Sequence, residues 1–326
     1  MNSATPEIVT GKESGDRVVI IDSPRDPSRE LVALDVGEFL AQEFPPRRNL
    51  LDPWLPQQGL AMIHAPRGVG KTHCSLAIAY AVASGSKFLH WSAPQPAGVL
   101  FLDGEMPAVV LQERLAAIVA ASDIEPAAPL RIVSPDLQDS GMPDLSTIDG
   151  QMEVEAHLDD VELIIVDNIS TLCRSGRENE SESWLPVQGW ALRMRRAGRS
   201  VLFIHHDGKG GQQRGTSRKE DVLDTVINLR RPVDIRPEDG AAFEIHFEKS
   251  RGIFGDDVES FEAKLGPGPD GMQEWTMRSV ETSTYERVQA LHKYDLKPGE
   301  IAVELGINKS TVSRHLKRGR AEGVTW

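Results

Sequence analysis

The sequence predicts an α/β fold, in which a mainly parallel sheet carries helices on both faces, followed by a small all-α domain. Two observations carry this prediction. Short, continuously apolar runs alternate with segments of helical periodicity, and the pattern turns helical again at the end of the chain. The apolar runs read GLAMIHA, GVLFLDG, LRIVSP, VELIIVDN and SVLFIHH. The helical segments among them read HCSLAIAYAVAS, PAVVLQERLAAIVAAS and WLPVQGWALRMRRAG.

The elements follow one another in three predicted domains. Residues 1–30 are polar and contain several Pro and Gly, which predicts a disordered or loosely docked arm. Residues 31–279 form the α/β domain, in which a helical segment and a Pro-rich stretch lead into a strand over Leu60–His64. Four later runs lack long helices between them and predict antiparallel strands added to one side of the sheet. These runs read DTVINLRR, AAFEIHFEKSR, ESFEAKLG and MQEWTMRS. Helical periodicity returns near Ser279, so residues 280–326 form the last domain.

Composition excludes several classes of protein. The chain has 326 residues, of which 40% are hydrophobic, enough for a sizeable core. No run approaches the ~18 apolar residues of a membrane helix and the first residues lack a signal-peptide layout, so we expect a cytoplasmic protein with no membrane partner. Cys74 and Cys173 are too few for a disulfide framework and lack a metal-ligand spacing. A net charge of −13 argues against a surface that binds nucleic acid all over, without excluding a local basic patch.

The stretch APRGVGKTH nearly matches the phosphate-binding loop G-x-x-x-x-G-K-[ST], in which backbone N–H groups at a helix N-terminus surround phosphates. Gly68 and Gly70 permit the close approach of the backbone. Lys71 would reach the β- and γ-phosphates, and the Thr72 hydroxyl would bind Mg²⁺. Ala65 replaces the first glycine, which is a mild departure where φ is negative. The stretch therefore predicts a site for Mg²⁺ and ATP. Its candidate residues are Ala65, Pro66, Arg67, Gly68, Val69, Gly70, Lys71, Thr72 and His73.

Phosphoryl transfer also requires a carboxylate near Mg²⁺ and a base for the attacking water. Asp167 ends the run VELIIVDN and is the expected Mg²⁺ partner, through water. The next residue is Asn168 and not Glu, so the base lies elsewhere. Glu105 follows another strand, at the edge where ligands collect on an α/β sheet, and is the candidate base. The alternatives are a plain helix N-terminal acid at Glu105, and Asp103 as the base.

Polar residues at the end of a further strand complete the predicted edge. His206 ends the run SVLFIHH, where it could hydrogen-bond the γ-phosphate or the lytic water and report hydrolysis. A solvated histidine is the alternative. The Gly-rich stretch DGKGGQQRG that follows predicts a mobile loop in contact with a polymer or a neighbouring subunit.

Taken together, these motifs resemble the RepA-like branch of hexameric replicative helicases, in the RecA/DnaB superfamily of P-loop NTPases. The resemblance covers roughly Trp54 to Gly252. It rests on the phosphate loop, the strand ends LDGEM and IIVDN, and FIHHDGK…RGTS with the downstream DTVINL. It implies a RecA-like core and a homo-hexamer. It also implies a catalytic glutamate on the strand after the phosphate-loop helix, which favours Glu105.

The segment HFEKSRG resembles the K-x-R pair that such helicases insert into the ATP site of the adjacent subunit. The match falls on Lys249 and Arg251, whose charges would neutralise the phosphoryl group in transfer. Arg214 in QQRGTS is a competing candidate, and plain surface charge is the alternative for all three. Cations that act in trans imply head-to-tail contacts and a closed ring.

The stretch PGEIAVELGINKSTVSRHLKRGRAEG predicts a helix-turn-helix. Gly306 permits the turn, and Ala302 is small where the helices cross. Ser310 and Thr311 stand at the start of the second helix, where recognition helices meet DNA. Beyond Gly306, five Lys or Arg stand against the single acid Glu322, as a nucleic-acid contact requires. The candidate DNA contacts are Lys309, Ser310, Thr311, Arg314, Lys317 and Arg318.

Two functions stay open on the sequence alone. The C-terminal segment resembles resolvase- and winged-type modules of bacterial DNA-binding proteins, with a role in protein packing as the alternative. The first function is an ATP-dependent DNA helicase of RepA type, with single-stranded DNA in the ring and duplex DNA at the C-terminal module, serving replication of a plasmid, phage or other mobile element. The second is an ATP-gated DNA-binding regulator that does not unwind DNA.

Overall fold

The computed structural model describes residues 31–174, 180–207, 220–232, 235, 240–269 and 271–324. The chain divides into two units, residues 1–46 and residues 47–326. The arm predicted over residues 1–30 lies outside the described residues.

In the first unit, the described residues form one short helix, α1 (Val36–Leu40). Asp35 and Glu38 form a capping box, in which each side chain accepts the backbone N–H of the other residue. The helical pattern in the sequence runs on towards Phe44, but the helix stops earlier. Two prolines follow Phe44 and disfavour helical backbone before them.

The second unit is built on a sheet of nine strands, flanked by two short two-stranded sheets. The short pairs are β1 (Asn49–Leu51) with β2 (Leu55–Pro56), and β4 (Lys87–Phe88) with β5 (Trp91–Ser92). The strands of the main sheet are β3 (Leu60–Ala65), β6 (Val99–Asp103), β7 (Leu130–Val133), β8 (Leu163–Asp167), β9 (Ser200–His206), β10 (Thr225–Arg230), β11 (Ala242–Ser250), β12 (Phe261–Pro267) and β13 (Gln273–Ser279). Their order is β13-β12-β11-β10-β3-β9-β8-β6-β7, and the six strands from β10 to β7 are parallel.

Helices cover both faces of this sheet, as the sequence predicts. Side chains of β3 alternate between two cores: Ala61 and Ile63 pack into one, Leu60 and Met62 into the other. The first core also holds the apolar residues of α2 (Lys71–Ser84) and contacts α3 (Ala108–Ala120). The second core packs against α4 (Ile148–Glu155), α5 (Ile169–Leu172) and α6 (Glu180–Arg196). None of the helices among the described residues is long and apolar enough to cross a lipid bilayer.

One strand differs from its prediction. β10 was expected to be antiparallel to the sheet, but it pairs in parallel with β3 and antiparallel only with β11. The connection over residues 207–224 is long enough for the crossover that a parallel pair requires. The next three strands, β11 to β13, are antiparallel and extend one side of the sheet, which confirms the rest of the prediction.

Three helices follow the sheet and form the predicted helix-turn-helix module. They are α7 (Val280–Lys293), α8 (Pro298–Glu304) and α9 (Lys309–Ala321). Gly306 has a φ of 62°, the left-handed conformation that the turn between α8 and α9 requires. The buried residues of the module form a core of their own: Val288, Ile301, Ala302, Leu305, Val312 and Leu316.

Buried charges tie α7 to the antiparallel strands. Arg287 is only 8% exposed, and its guanidinium pairs with Glu262 on β12 and, at 3.2 Å, with Glu244 on β11. The Ser283 hydroxyl donates to Glu262 Oε2 over 2.7 Å. Because ionised groups out of water are stable only with well-placed partners, these contacts determine how the module docks.

Candidate functional site

The phosphate-binding loop lies between β3 and α2, at the carboxyl edge of the parallel strands. Gly68 and Gly70 have φ angles of 74° and 114°, values that favour glycine. A Cβ on Gly70 would also lie 3.2 Å from the Cβ of Ala241. Ala65, the departure from the usual pattern, is the last residue of β3 and pairs in register with His206. It lies in extended backbone, where alanine costs little.

Lys71 is buried at the start of α2, with its ammonium folded onto the loop. Its Nζ donates to the carbonyl oxygens of Ala65, at 2.8 Å, and Pro66, at 2.9 Å. Burial lowers the pKa of Lys71 to about 8, and the negative charge of Asp167 partly opposes this effect. An anion bound in the loop would favour the charged form of this lysine and raise its pKa again.

Asp167, at the end of β8, faces the first turn of α2. Its Oδ2 accepts the Ser75 hydroxyl over 2.9 Å, and the Thr72 hydroxyl also hydrogen-bonds to it. Burial raises the pKa of Asp167 to about 6, while the bonds from Ser75 and Thr72 act in the opposite direction. The fold therefore brings together the hydroxyl and the carboxylate that were predicted from sequence. Oxygen atoms of these types are the ligands that Mg²⁺ prefers.

Glu105, Asn168 and His206 meet at the ends of three neighbouring strands. Asn168 Nδ2 donates to Glu105 Oε2 over 2.5 Å, and His206 Nε2 lies 3.2 Å from the same oxygen and 3.1 Å from Asn168 Nδ2. Burial raises the pKa of Glu105, but the hydrogen bonds to His206 and Asn168 outweigh it and lower the pKa overall. Burial and the charge of Lys71 lower the pKa of His206. The triangle thus holds an ionised carboxylate beside a neutral imidazole at neutral pH.

Asn168 is the member of this triangle that the sequence did not assign. The sequence feature that identified the other site residues was present here too, since Asn168 directly follows Asp167 at the end of a strand. Among the described residues, Asn168 Oδ1 and His206 Nδ1 are buried and have no hydrogen-bond partner. Because a buried polar atom without a partner is costly, we expect a water molecule or a substrate group to bind both.

Asp103, the second candidate for the base, has a different position. It is 1% exposed, and its carboxylate accepts the backbone N–H groups of Glu105, at 3.3 Å, and Met106, at 3.0 Å. Burial raises the pKa of Asp103 to about 6, and the charge of Asp167 adds to the shift. Asp103 therefore orients the turn that carries Glu105.

An arginine that the sequence did not single out also contacts the loop. The Arg231 guanidinium donates to the carbonyl oxygen of Gly68. Arg231 follows β10, and the parallel pairing of β10 with β3 places its end at the same edge as the phosphate loop. An antiparallel β10, as expected from the sequence, would have placed Arg231 at the opposite edge of the sheet, away from the phosphate loop. His73 lies in the first turn of α2, directly after the loop; burial and the charge of Arg114 lower its pKa to about 4.

The K-x-R pair lies away from this edge. Ser250, between Lys249 and Arg251, pairs with Thr225, which pairs with Ala61 near the start of β3. The phosphate loop follows the other end of β3. Lys249 Nζ donates to the carbonyl oxygen of Glu220, and Arg251 Nη2 donates to that of Asp221 over 3.0 Å. Arg214, the competing candidate, lies outside the described residues.

Helix α9 carries two opposite faces. Val312, His315, Leu316 and Gly319 are buried, whereas basic and hydroxyl side chains occupy the exposed face. The predicted contacts Lys309, Ser310, Arg314 and Lys317 are exposed and Thr311 is half-buried. Two further residues of this face, Ser313 and Arg320, are also exposed.

Arg318 differs from the other predicted DNA contacts. Its guanidinium stacks over the ring of Tyr285 at 4.5 Å and pairs with Glu322 at 2.8 Å. These contacts turn Arg318 towards α7, so it packs within the module.

Comparisons with known proteins match two parts of the sequence to known families. The sequence matches the family described as AAA domain over residues 24–212. It matches the family described as bacterial regulatory protein, arsR family, over residues 288–323. Among solved structures, a KaiC-like protein from the hyperthermophilic archaeon Pyrococcus horikoshii is similar, with 14% sequence identity and a TM-score of 0.48. The alignment covers 72% of this chain and 100% of that chain. No curated protein matches the sequence.

Proposed function

This chain belongs to the family of AAA domains, and from that premise we propose an ATP-driven DNA motor of the RepA helicase type, working as a homo-hexameric ring in replication of a mobile element. The phosphate loop and Lys71 would bind the triphosphate. Thr72 would hold Mg²⁺ directly and Asp167 through water, and the metal would supply positive charge beside the phosphates. Glu105 takes a proton from the attacking water. His206 contacts both Glu105 and Asn168, which allows it to report the state of the γ-phosphate to the segment that follows β9.

The proposal of a ring is based on one observation: Lys249 and Arg251 lie at the sheet edge opposite to the phosphate loop. Several residues of β3 separate the two edges, at about 3.3 Å per residue. The cations therefore cannot reach the phosphates bound by their own subunit without a rearrangement of the sheet. In a head-to-tail assembly, each subunit presents this edge to its neighbour, and the pair can act there in trans.

Mixed assemblies test this arrangement. We expect Arg251→Ala subunits and Lys71→Ala subunits to be nearly inactive alone and to recover hydrolysis when mixed. An Arg251→Ala subunit keeps an intact phosphate site, and a Lys71→Ala neighbour supplies the missing cation. In a random one-to-one mixture, about a quarter of all sites combine both intact halves, so steady-state phosphate release should approach about a quarter of the unmodified rate.

The control for this experiment replaces a cation outside the pair. Lys264 on β12 is exposed, and Lys264→Ala should retain full hydrolysis. Absence of recovery at every mixing ratio, with subunit exchange shown by native mass spectrometry, would contradict action in trans.

The exposed face of α9 gives a second prediction, for duplex DNA. Arg314→Ala and Lys317→Ala should each weaken duplex binding and reduce the slope of log affinity against log salt concentration by about 1, because each removes one phosphate contact. Lys264→Ala should leave this slope unchanged. Arg318→Ala should act through a lower melting temperature, since Arg318 packs on Tyr285. Fluorescence anisotropy over a salt series measures the slopes. Equal slopes for Arg314→Ala and Lys264→Ala would show that the exposed face of α9 does not contact DNA.

A second function, an ATP-gated DNA-binding regulator without unwinding, is favoured by the docking of α7 on β11 and β12. Arg287 joins the DNA-binding module to strands of the ATPase sheet through buried charges, which suits a protein whose nucleotide state alters DNA binding. The match of residues 288–323 to a family of bacterial regulators supports the same reading. ATP-dependent strand displacement on a forked duplex separates the two functions. Hydrolysis that single-stranded DNA stimulates without any displacement would favour the regulator.

A further inference from the structure

A buried histidine outside the triphosphate site lies between two carboxylates. His64, on β3, is 2% exposed. Its Nδ1 lies 2.7 Å from Asp207 Oδ1, and its Nε2 lies 2.9 Å from Glu248 Oε2. The side chain of Asp207 is 3% exposed and that of Glu248 is 35% exposed. Both ring nitrogens therefore face an acid, in a place that water reaches poorly.

The chemistry of these contacts limits which side chains can make both of them. An ionised carboxylate only accepts hydrogen bonds, and a neutral imidazole has a single N–H. Both short contacts are satisfied together when both ring nitrogens carry hydrogen. A glutamine carries both of its N–H groups on a single nitrogen, so it cannot take the place of two ring nitrogens that each face an acid.

The two acids lie on different parts of the sheet, one next to the predicted sensor and the other next to the K-x-R pair. Asp207 directly follows His206, the predicted sensor at the end of β9. Glu248 lies on β11, where the register with β10 shifts: Phe247 pairs with Ile227 and Lys249 with Val226. Glu248 is thus the extra residue of a β-bulge, and a bulge re-aims the side chains that follow it. The next residue along the chain is Lys249, the first member of the K-x-R pair.

We propose that His64 is a positioning residue that ties the sensor end of β9 to the bulge of β11 and so sets the direction in which Lys249 and Arg251 are presented to the neighbouring subunit. This inference rests on the proposed action of that pair in trans. Asn228, the register partner of His64 on β10, strengthens the tie, because its Nδ2 donates to Glu248 Oε1 over 2.7 Å. A change at the γ-phosphate that moves His206 would reach the pair through Asp207, His64 and Glu248.

The test repeats the mixing experiment with His64→Gln in place of Arg251→Ala. His64→Gln subunits alone should hydrolyse ATP about 10-fold more slowly, with KM for ATP changed less than about 2-fold, because the nucleotide still binds but the cations are misdirected. Mixed with Lys71→Ala subunits, they should recover activity, since their own sites are intact and the neighbour presents its pair correctly. Glu248→Gln, which breaks the same tie from the other strand, should behave alike.

Controls separate this role from a general loss of structure. Arg230 lies 3.5 Å from Glu248 Oε1 on the exposed side, and Arg230→Ala should keep its activity within about 2-fold. If Arg251→Ala recovers on mixing and neither His64→Gln nor Glu248→Gln does, the positioning role is wrong and the proposed function stands. If Arg251→Ala also fails to recover, the proposed action in trans is wrong. The proposed role of His64 is then wrong as well, because it depends on that action.

Discussion

Glu105→Gln is expected to lower the rate of ATP hydrolysis by about 10²- to 10⁴-fold while leaving the affinity for ATP nearly unchanged. The glutamine oxygen can still accept the hydrogen bond from Asn168 Nδ2, so the triangle at the strand ends keeps its shape. What the substitution removes is the group that accepts a proton from the attacking water. Single-turnover phosphate release measures the chemical step, and a fluorescent ATP analogue measures the affinity.

Glu113→Gln is the matched control for this experiment. Glu113 is an exposed acid on α3, the helix that follows Glu105, and its loss should change neither measurement. Asp103→Asn tests the competing assignment. Since Asp103 accepts two backbone N–H groups of the turn, its replacement should weaken hydrolysis by displacing Glu105. A Glu105→Gln protein with unchanged hydrolysis would assign the base elsewhere.

Arg287→Met is expected to detach the helix-turn-helix module from the ATPase sheet, at a cost of about 3–5 kcal/mol in the docked state. The substitution removes the buried cation that Glu262, which is 2% exposed, shares with Glu244, so that Glu262 keeps the more exposed Arg278 in place of a buried partner. A buried carboxylate that loses its buried partner is strongly destabilising. Hydrogen exchange of α7 and α8 measures the loss, and we expect faster exchange there than in β3 or β9.

Arg278→Met is the control for this prediction. Arg278 also pairs with Glu262, at 2.7 Å, but its side chain is 36% exposed, so its loss should cost about 1 kcal/mol or less. Replacing Glu262 together with Arg287 should restore part of the protection, because the more buried of the two carboxylates is removed together with its cation. Equal exchange rates in Arg287→Met and Arg278→Met would show that burial of the pair does not determine docking.

The candidate-site residues that were predicted from the sequence all lie at the ends of strands or shortly after them. Lys71, Glu105, Asp167 and His206 each come just after an apolar run or at its end, and parallel strands bring their carboxyl ends to one edge. The sequence pattern therefore predicts that these side chains meet. Asn168 also lies at the end of a strand, so the same pattern could have identified it as a site residue. The sequence interpretation used it only to conclude that no glutamate follows Asp167.

Other parts of the site depend on pairing that no local pattern contains. The direction of β10 decides that Arg231 contacts the phosphate loop, and it depends on the crossover after β9. The role of Arg318 likewise depends on the packing of α9 against Tyr285.

The sequence by itself determined the α/β class, the phosphate loop with its neighbouring acids, and the helix-turn-helix, because each is encoded by residues close together along the chain. Only the tertiary structure decided which edge of the sheet holds Lys249 and Arg251, how His64 comes to lie between Asp207 and Glu248, and how Arg287 docks the module. These are contacts between residues far apart in sequence, and strand order and register, which set them, follow from the packing of the whole sheet.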